Sequence, residues 1–247
     1  MNAYSSSSDA AGRNQFKAYA NRWAGLLLVA LLPLVAGGCG TFNTRTLFAK
    51  SDDVILGPGF QPANVHRGNN RLPTTVRRVV ILPVTCNAQE PAALAGQEAF
   101  QPMVSEELGK TRAFEVIAVT PEQLQKLTGR SQWMAEDKLP EDFFSRLREV
   151  YDCDAVLFAH LSQFRAYPPL QIGWKVRLVD NQTPKIHWAV DEVFDAGEAA
   201  VATAARRYYL AHLADGRSEN DSRSILFSPR RFGQYSLNAL FDTLPGR

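Results

Sequence analysis

The sequence predicts an α/β fold in which a parallel β-α-β region is followed by an antiparallel hairpin. Apolar runs at residues 78–84 and 154–165, with a shorter strand pattern at 114–119, alternate with stretches of helical periodicity. Residues 171–195 instead alternate apolar and polar side chains in two segments. Continuous apolar runs are typical of strands buried on both faces, whereas alternation is typical of strands with one wet face. We therefore expect one mixed sheet that is packed by helices.

Helical patterns separate the three strands of the parallel region. The first helix is predicted over residues 92–110, where apolar side chains recur at helical spacing. Thr120-Pro121-Glu122-Gln123 matches a capped helix start, and this short helix is expected to end at Gly129. A third helix is expected to open at Pro140. Strands separated by helices predict parallel pairing through right-handed crossovers.

The hairpin and the C-terminal helices complete the predicted fold. The hairpin strands span residues 171–179 and 185–195, and the two-residue period of a strand places Trp174 and Trp188 on one buried face. One helix is predicted at 198–213, and another begins after Ser228-Pro229, a strong helix start. Residues 77–247 are therefore expected to form a single α/β domain.

The segment before this domain has the features of a secretion signal. Arg13, Lys17 and Arg22 precede a run of 14 residues from Trp23 to Ala36 that carries no charge. A membrane-spanning helix needs about 20 apolar residues, whereas the apolar region of a signal peptide has about 7–15. The run therefore fits a signal peptide better than a spanning helix.

The end of that run resembles the lipobox of bacterial lipoproteins. Ala36, Gly37 and Gly38 lead directly into Cys39, with Ala36 in place of the usual leucine. The resemblance implies acylation of Cys39, removal of residues 1–38 and anchoring of the chain by lipid. Gly40 replaces the aspartate that retains many such proteins at the inner membrane, which favours the outer membrane. The alternatives are an ordinary cleaved signal peptide or an uncleaved anchor.

Charge and composition narrow the class of protein. The chain of 247 residues has 27 Lys and Arg against 25 Asp and Glu, and removal of residues 1–38 would leave 24 of each. A neutral domain has no electrostatic footprint for nucleic acid, so no nucleic-acid partner is expected. Residues 39–76 are rich in Gly, Pro and Asn with little periodicity, which predicts either a tether or a segment that wraps over the domain.

Cys86 and Cys153 would remain in the processed chain. An oxidising compartment favours a disulfide between them. The predicted strands oppose this bond, because Cys86 follows one strand and Cys153 precedes a parallel neighbour, at opposite edges of the sheet. We expect two free thiols.

No catalytic motif, cofactor motif or metal-ligand spacing is recognisable, so the sequence predicts neither an enzyme nor a cofactor. His160 and His187 could meet across the sheet, but two ordinary strand histidines are the preferred interpretation. The acidic pairs at 136–137 and 141–142 are interpreted as favourable charge at a helix start, and the arginine pairs at 206–207 and 230–231 as solvated charge.

One loop is a candidate partner contact. Tyr167, Pro168 and Pro169 join the third strand to the hairpin and could present an aromatic side chain to another protein. The alternative, which we prefer, is a rigid loop at the edge of the sheet.

Five stretches carry a resemblance to a known group of proteins: R-R-V-V-I-L-P-V (77–84), E-L-G-K-T-R-A-F-E-V-I (107–117), Y-D-C-D-A-V-L-F-A-H-L (151–161) and the hairpin strands W-K-V-R-L-V-D (174–180) and I-H-W-A-V-D (186–191). Together they resemble the N-terminal domain of the Tol-Pal propeller protein, the curli-secretion lipoprotein and the lipoprotein activators of penicillin-binding proteins. The resemblance implies a non-catalytic binding or assembly factor of the cell envelope. The alternatives are a subunit of an oligomeric export or polysaccharide-secretion ring and, third, an unrecognised hydrolase. A self-made pore is not expected, because the only clear hairpin belongs to the sheet.

Overall fold

The computed structural model describes residues 55–183, 185–214 and 222–247, and in them a mixed seven-stranded sheet is packed by helices. This confirms the predicted fold class. The strands are β1 (Val65–Arg67), β2 (Arg78–Ile81), β3 (Thr85–Cys86), β4 (Glu115–Ala118), β5 (Ala155–Arg165), β6 (Gln171–Asp180) and β7 (Ile186–Asp195). The helices are α1 (Pro91–Lys110), α2 (Pro121–Thr128), α3 (Phe143–Tyr151), α4 (Ala199–His212) and α5 (Pro229–Phe241), with a 3₁₀ helix at Ser222–Phe227.

The sheet has the order β1-β7-β6-β5-β2-β4, and β3 also pairs with β5. β2 lies in parallel between β4 and β5, whereas β5, β6, β7 and β1 pair antiparallel in succession. The first predicted strand, 78–84, is shorter in the structure, because β2 ends at Ile81, just before Pro83 with its missing N–H, and the separate β3 pairs with β5 from Thr85 onward. β5 is therefore the strand at which the parallel and antiparallel halves of the sheet meet.

Two hydrophobic cores cover the two faces of the sheet. The larger core packs α1, α4 and α5 against one face, and it contains both Trp174 and Trp188, as the strand period predicts. The indole N–H of Trp174 donates to Ser236 Oγ at 3.0 Å. The indole N–H of Trp188 donates to Thr243 Oγ1 at the same distance. The smaller core packs α2 and α3 against Val80, Val156 and Phe158 on the other face.

The helix ends follow their sequence signals with one exception. α2 has the predicted capping box between Thr120 and Gln123, and it ends at Gly129 with a φ of 85°. The Ser228 hydroxyl accepts a hydrogen bond from the Arg231 N–H at the start of α5. The exception is α3, which begins at Phe143 and not at Pro140, because residues 141–142 form a turn before the helix.

Residues 55–76 lie against the rest of the domain. β1 extends the sheet beside β7, the side chains of Leu72 and Val76 are buried in the larger core, and Leu72 N–H donates to the Gly246 carbonyl at 2.9 Å. The compact unit thus begins at Ile55. Residues 39–54, Cys39 and the predicted leader lie outside the described residues, so their assignment stays a prediction. None of the helices in the described ranges is long and apolar enough to cross a membrane.

Two glycines of α1 provide a matched test of this packing. A Cβ at Gly96 would lie 2.7 Å from Phe164 and 2.9 Å from Leu161, whereas a Cβ at Gly109 would meet nothing within 4 Å. We expect Gly96→Ala to lower the free energy of unfolding by about 1–3 kcal/mol through overpacking. Gly109→Ala should raise it by about 0.5–1 kcal/mol, because alanine favours the helix. Urea unfolding measures both changes, and equal effects from the two substitutions would contradict the packing of α1 on β5.

Candidate functional site

A cleft of about 430 Å³ opens between α4, α5 and the extended segment that precedes β1. We call it the C-terminal cleft and define it by six of its lining residues: Phe60, Tyr208, His212, Tyr235, Asn238 and Asp242. Its volume lies in the range of about 300–1,000 Å³ that is usual for small-molecule sites.

Helical spacing brings the cleft residues together. Tyr208 and His212 are four residues apart on α4, Tyr235 and Asn238 are three apart on α5, and Asp242 caps the C-terminal end of α5 four residues later. Phe60 comes from the extended segment, which Arg207 holds in place. The Arg207 guanidinium donates to the carbonyl of Ile55 at 3.0 and 3.1 Å and to that of Gly57 at 2.8 Å.

The cleft has an aromatic floor. The rings of Tyr208 and His212 stack with centroids 4.6 Å apart and an interplanar angle of 22°. The ring of Tyr235 lies 5.9 Å from that of Tyr208 and 5.8 Å from that of Phe194. Phe194 in turn makes an edge contact with Phe60 at 5.4 Å, so the rings form one continuous cluster. Such pairs stabilise by about 0.5–1.5 kcal/mol beyond the area that they bury.

A buried hydroxyl in this floor lacks a hydrogen-bond partner. Tyr235 is only 3% exposed, and its hydroxyl finds no partner among the described residues. Burial raises the pKa of Tyr235, and burial together with the charges of Glu107 and Asp242 raises that of Tyr208. Both phenols are therefore neutral near pH 7, and each can donate as well as accept a hydrogen bond. A buried hydroxyl without a partner costs about 1–3 kcal/mol.

Two arginines, a histidine and an aspartate line the cleft. Arg67 Nε donates to the Thr243 carbonyl at 2.8 Å, and Arg207 binds the backbone as described above. His212 Nδ1 lies 3.2 Å from the Tyr208 carbonyl, which can only accept, so Nδ1 carries the proton and Nε2 is the free ring nitrogen. Burial raises the pKa of the Asp242 carboxyl, and the charge of His212 opposes this shift. Asp242 is the one acidic residue among those that line the cleft.

Sequence reasoning placed Tyr208 and Tyr235 on the apolar faces of their helices but did not identify the cleft. Both side chains are indeed buried. The available signal was the residue type itself, because two tyrosines on core-facing positions bring hydroxyls that need partners.

The two strand histidines do not meet. His160 pairs with Lys175 in the middle of β6, whereas His187 lies at the start of β7, beside the hairpin turn, where its Nε2 is 3.0 Å from Asp180 Oδ2. The idea that they approach across the sheet is wrong, because the antiparallel register places them at different levels. No group of three residues suited to hold a metal occurs in the described ranges.

His160 has a partner that sequence reasoning missed. Its Nδ1 lies 2.9 Å from Thr85 Oγ1, an arrangement that resembles a hydroxyl nucleophile beside a base. Thr85 is only 5% exposed, however, and the cavity beside the pair measures about 10 Å³, room for one water at most. Glu136 and Arg177 form an ion pair of 2.6 Å at the edge of this cavity. The Thr85 hydroxyl and the His160 ring are therefore out of reach of a substrate.

The acidic pairs at 136–137 and 141–142 are interpreted from sequence as favourable charge at a helix start, and the structure places only one of them there. Glu136 binds Arg177, and Asp137 Oδ2 accepts from the Met134 N–H at 3.0 Å in the turn before α3. Asp142 does occupy the N-cap position of α3, yet its side chain pairs with Arg146 and caps no N–H. Only the pair at 141–142 therefore lies at a helix start.

The arginine pairs are also more engaged than predicted. Arg206 Nε donates to Ser222 Oγ at 3.1 Å, and Arg231 donates to Ser224 Oγ at 2.9 Å while its guanidinium lies 5.5 Å from the centre of the Tyr209 ring. Together with Arg207 they join α4, α5 and the flanking segments. Only Arg230 remains as solvated charge.

Both described cysteines are free thiols, as expected. Cys86 Sγ lies 3.0 Å from Gln97 Oε1, and burial, followed by the charge of Glu90, raises its pKa. Burial is also the main cause that raises the pKa of Cys153 to about 11. Neither thiol is activated as a nucleophile, because the thiolate is the reactive form.

The predicted contact loop presents Tyr167, which is 70% exposed. The loop is held at its base, where Arg165 Nε donates to the Pro169 carbonyl at 2.6 Å and the Gln171 side chain donates to Asp195 Oδ2 at 3.3 Å. The structure does not bring Tyr167, Pro168 and Pro169 into the C-terminal cleft.

No protein-family model and no curated protein matches this chain. Among solved structures, lipoprotein GNA1162 from Neisseria meningitidis is 14% identical, with 48% of this chain and 79% of that chain covered and a TM-score of 0.36. The PelC dodecamer from Paraburkholderia phytofirmans is 10% identical, with 74% and 98% covered and a TM-score of 0.38. The LpoB C-terminal domain from Escherichia coli is 16% identical, with 48% and 82% covered and a TM-score of 0.32. At these low TM-scores the function, partners and assembly of this chain do not follow from the likenesses.

The Asp180–His187 contact yields a test of pH dependence. Burial alone would raise the pKa of Asp180, but hydrogen bonds from Thr183, Gln182 and His187 lower it below its ordinary value of 3.8. The stabilisation is therefore complete above pH 3.8 and is lost as the pH falls through the lowered value. We expect Asp180→Asn to cost about 1–3 kcal/mol at pH 7 and progressively less on acidification. Urea unfolding of both proteins from pH 7 to pH 2.5 measures this difference.

A matched control is Asp191→Asn, which removes an exposed ion pair with Lys175 at 3.5 Å. It should change the free energy of unfolding by less than about 1 kcal/mol. A difference between wild type and Asp180→Asn that stayed constant down to pH 2.5 would contradict the lowered pKa.

Proposed function

We propose that this chain is a lipid-anchored envelope lipoprotein that faces the periplasm from the outer membrane and acts by binding, without catalysis. The observation that carries the proposal is the order of features before the domain. Positive charge, a 14-residue run without charge, small residues and Cys39 follow one another as in a lipoprotein signal. A single acyl chain gives only marginal membrane binding, so the proposed anchor uses more than one chain at Cys39.

The C-terminal cleft supports the binding part of this proposal. It combines an aromatic floor with hydroxyl, amide, imidazole and carboxyl groups, which is the usual make-up of a ligand site.

The nucleophiles of the described residues support a role without catalysis. The Cys153 thiol is buried with a pKa of about 11, so it stays protonated at neutral pH. The Thr85 hydroxyl, the one placed beside an imidazole, is closed to a substrate by the small size of its cavity. The accessible groups of the C-terminal cleft can orient a ligand but include no serine or cysteine.

The anchor can be tested by substitution of the proposed acylated residue. We expect Cys39→Ser to release the folded protein from the membrane fraction into the soluble periplasm, because the thiol that carries the lipid is lost. Cell fractionation followed by density-gradient separation of inner and outer membranes measures the location, and labelling with radioactive palmitate measures acylation.

Cys86→Ser is the matched control, since it changes a thiol inside the domain and should leave both location and labelling unchanged. If Cys39→Ser remained bound to membranes, the proposed anchor would be wrong. Recovery of the wild type with the inner membrane would contradict the proposed location.

The Tyr167 loop is the proposed contact with an envelope protein. It offers an exposed aromatic side chain on a loop whose base is fixed by Arg165 and Asp195. Aromatic side chains on rigid supports are favoured at protein interfaces. We expect Tyr167→Ala to reduce recovery of crosslinked envelope proteins with the intact lipoprotein at least about tenfold, as for an interface anchor.

Phe227→Ala is the control, because it removes an exposed aromatic ring elsewhere. Quantitative mass spectrometry after crosslinking in cells measures the recovery, and unchanged melting temperatures establish that both variants are folded. Equal recovery with wild type and Tyr167→Ala would contradict this contact. Light scattering of the detergent-solubilised protein measures its molar mass, which distinguishes a single binding subunit from an oligomeric export ring.

A further inference from the structure

We propose that one face of the domain docks on the anionic lipid headgroups of the membrane to which the chain is attached. The face is built by α4, the 3₁₀ helix and the start of α5, and we call it the arginine face. The inference rests on the proposed membrane attachment and adds how the domain lies against that membrane. The arginine face is defined by Arg206, Arg207, Arg223, Arg230 and Arg231.

The charge of the chain is unevenly distributed. Residues 199–214 and 222–241 contain these five arginines and no Asp or Glu, although residues 39–247 as a whole carry 24 basic and 24 acidic residues. Residues 215–221 add Arg217 and three acidic residues, so that residues 199–241 have six arginines against three acidic residues, a net charge of +3. The rest of the processed chain is acidic to the same extent.

Contacts within the fold hold the arginines without neutralising them. The acceptors of Arg206 and Arg231 are the hydroxyls of Ser222 and Ser224, and those of Arg207 are backbone carbonyls. All of these acceptors are uncharged, and none of the five arginines forms an ion pair with a carboxylate of the described residues. A guanidinium stays protonated at physiological pH, so the face keeps its positive charge.

The same contacts place the arginines on one continuous surface. The guanidinium of Arg231 lies 5.5 Å from the centre of the Tyr209 ring, and Tyr209 follows Arg206 by one helical turn on α4. Arg223 lies between the two serines on the 3₁₀ helix, and both it and Arg230 are exposed. Several basic side chains on one surface act together on an anionic membrane, where each raises binding about fivefold.

The chain enters the domain beside this surface. Arg207 binds the carbonyls on either side of Leu56, whose side chain is 84% exposed and apolar. Ile55 follows Cys39 by only 16 positions, a stretch that reaches about 55 Å even when fully extended. An attachment that ends beside Arg207 brings the arginine face, and not the opposite side of the sheet, nearest to the membrane.

An acidic protein is the other occupant that positive charge would attract. The membrane is the better match, because a tethered surface is present at high effective concentration at all times, whereas a separate protein must be recruited from solution. The exposed apolar side chain of Leu56 beside the charges also suits a lipid surface, where basic and apolar groups act together.

The test adds the full-length protein to preformed vesicles of two compositions. One is pure phosphatidylcholine, which is zwitterionic, and the other contains 40% phosphatidylglycerol, which is anionic. Flotation on a density gradient measures attachment. Phenylglyoxal then modifies accessible guanidiniums, and mass spectrometry measures the rate at each arginine. We expect the protein to float with both kinds of vesicle, and the labelling of Arg223 and Arg230 to be at least about fivefold slower with phosphatidylglycerol.

Arg148 is the internal control, because it is exposed on α3, which packs on the other side of the sheet. Its labelling rate should differ less than twofold between the vesicles. Protection of Arg223 and Arg230 should disappear in 0.5 M NaCl, where the Debye length is about 4 Å. Glycerol 1-phosphate at 10 mM with phosphatidylcholine vesicles should give no protection, because a single small anion does not replace a charged surface.

A double substitution tests the charge directly. Arg223→Gln with Arg230→Gln should weaken docking about 25-fold, fivefold for each charge, and Arg231 should then be labelled at nearly the same rate with both vesicles. The matched control is Lys138→Gln with Arg148→Gln, which removes two exposed charges on the α3 side and should leave the protection of Arg231 unchanged. Equal melting temperatures establish that both variants are folded.

Three results would overturn the proposal. Equal labelling of Arg223 and Arg230 with both vesicles would leave the arginine face to an acidic protein, and protection by glycerol 1-phosphate would indicate a site for a small anion. Equal effects of the two double substitutions would show that the position of the charges is unimportant. The anchor is judged separately, because its failure appears as loss of flotation with phosphatidylcholine vesicles, whereas docking alone still carries the protein up with phosphatidylglycerol.

Discussion

The docking of α5 on the β6–β7 hairpin is the constraint on which the rest of the C-terminal half depends. Two indole N–H groups, from Trp174 and Trp188, donate to hydroxyls of Ser236 and Thr243, which are seven residues apart and so lie on one side of the helical path. An indole buried without an acceptor would lose about 1–3 kcal/mol, so these contacts fix both the position and the rotation of the helix. Asn238 and Asp242 consequently face away from the sheet and toward the C-terminal cleft.

The segment before β1 closes the other side of the cleft. Arg207 binds its carbonyls from α4, and β1 joins it to the edge of β7, so it is held at both of its ends. Phe60 packs against Phe194 between these two attachments. The cleft thus depends on contacts between residues that are about 150 positions apart in the chain, as the Arg207–Ile55 pair shows.

The elements of the fold could be predicted because their signals are local. The capping box at Thr120, the Ser228-Pro229 start and the alternation around Trp174 each act within a few residues, and the structure contains all three. The long-range contacts could not be predicted. The separation of His160 from His187 depends on strand register, and the ion pair of Glu136 with Arg177 depends on how a loop returns to the sheet. The cleft is of the same kind, because it forms only where α4, α5 and the first segment meet.

Tyr235 differs from the two buried tryptophans in whether its polar atom finds a partner inside the fold. A phenylalanine at position 235 would fill the same space without a polar group, and burial of its ring contributes most of the packing energy of either residue. The hydroxyl adds a desolvation cost that the described residues do not repay. The same cost falls on Glu107 Oε2 and Asn181 Oδ1, which are also buried without a partner but do not line the cleft, so such an atom does not by itself mark a ligand site. The same argument does not apply to Trp174 or Trp188, whose N–H groups are satisfied within the fold. The distinction between these aromatic residues is therefore whether the polar atom finds its hydrogen-bond partner inside the fold.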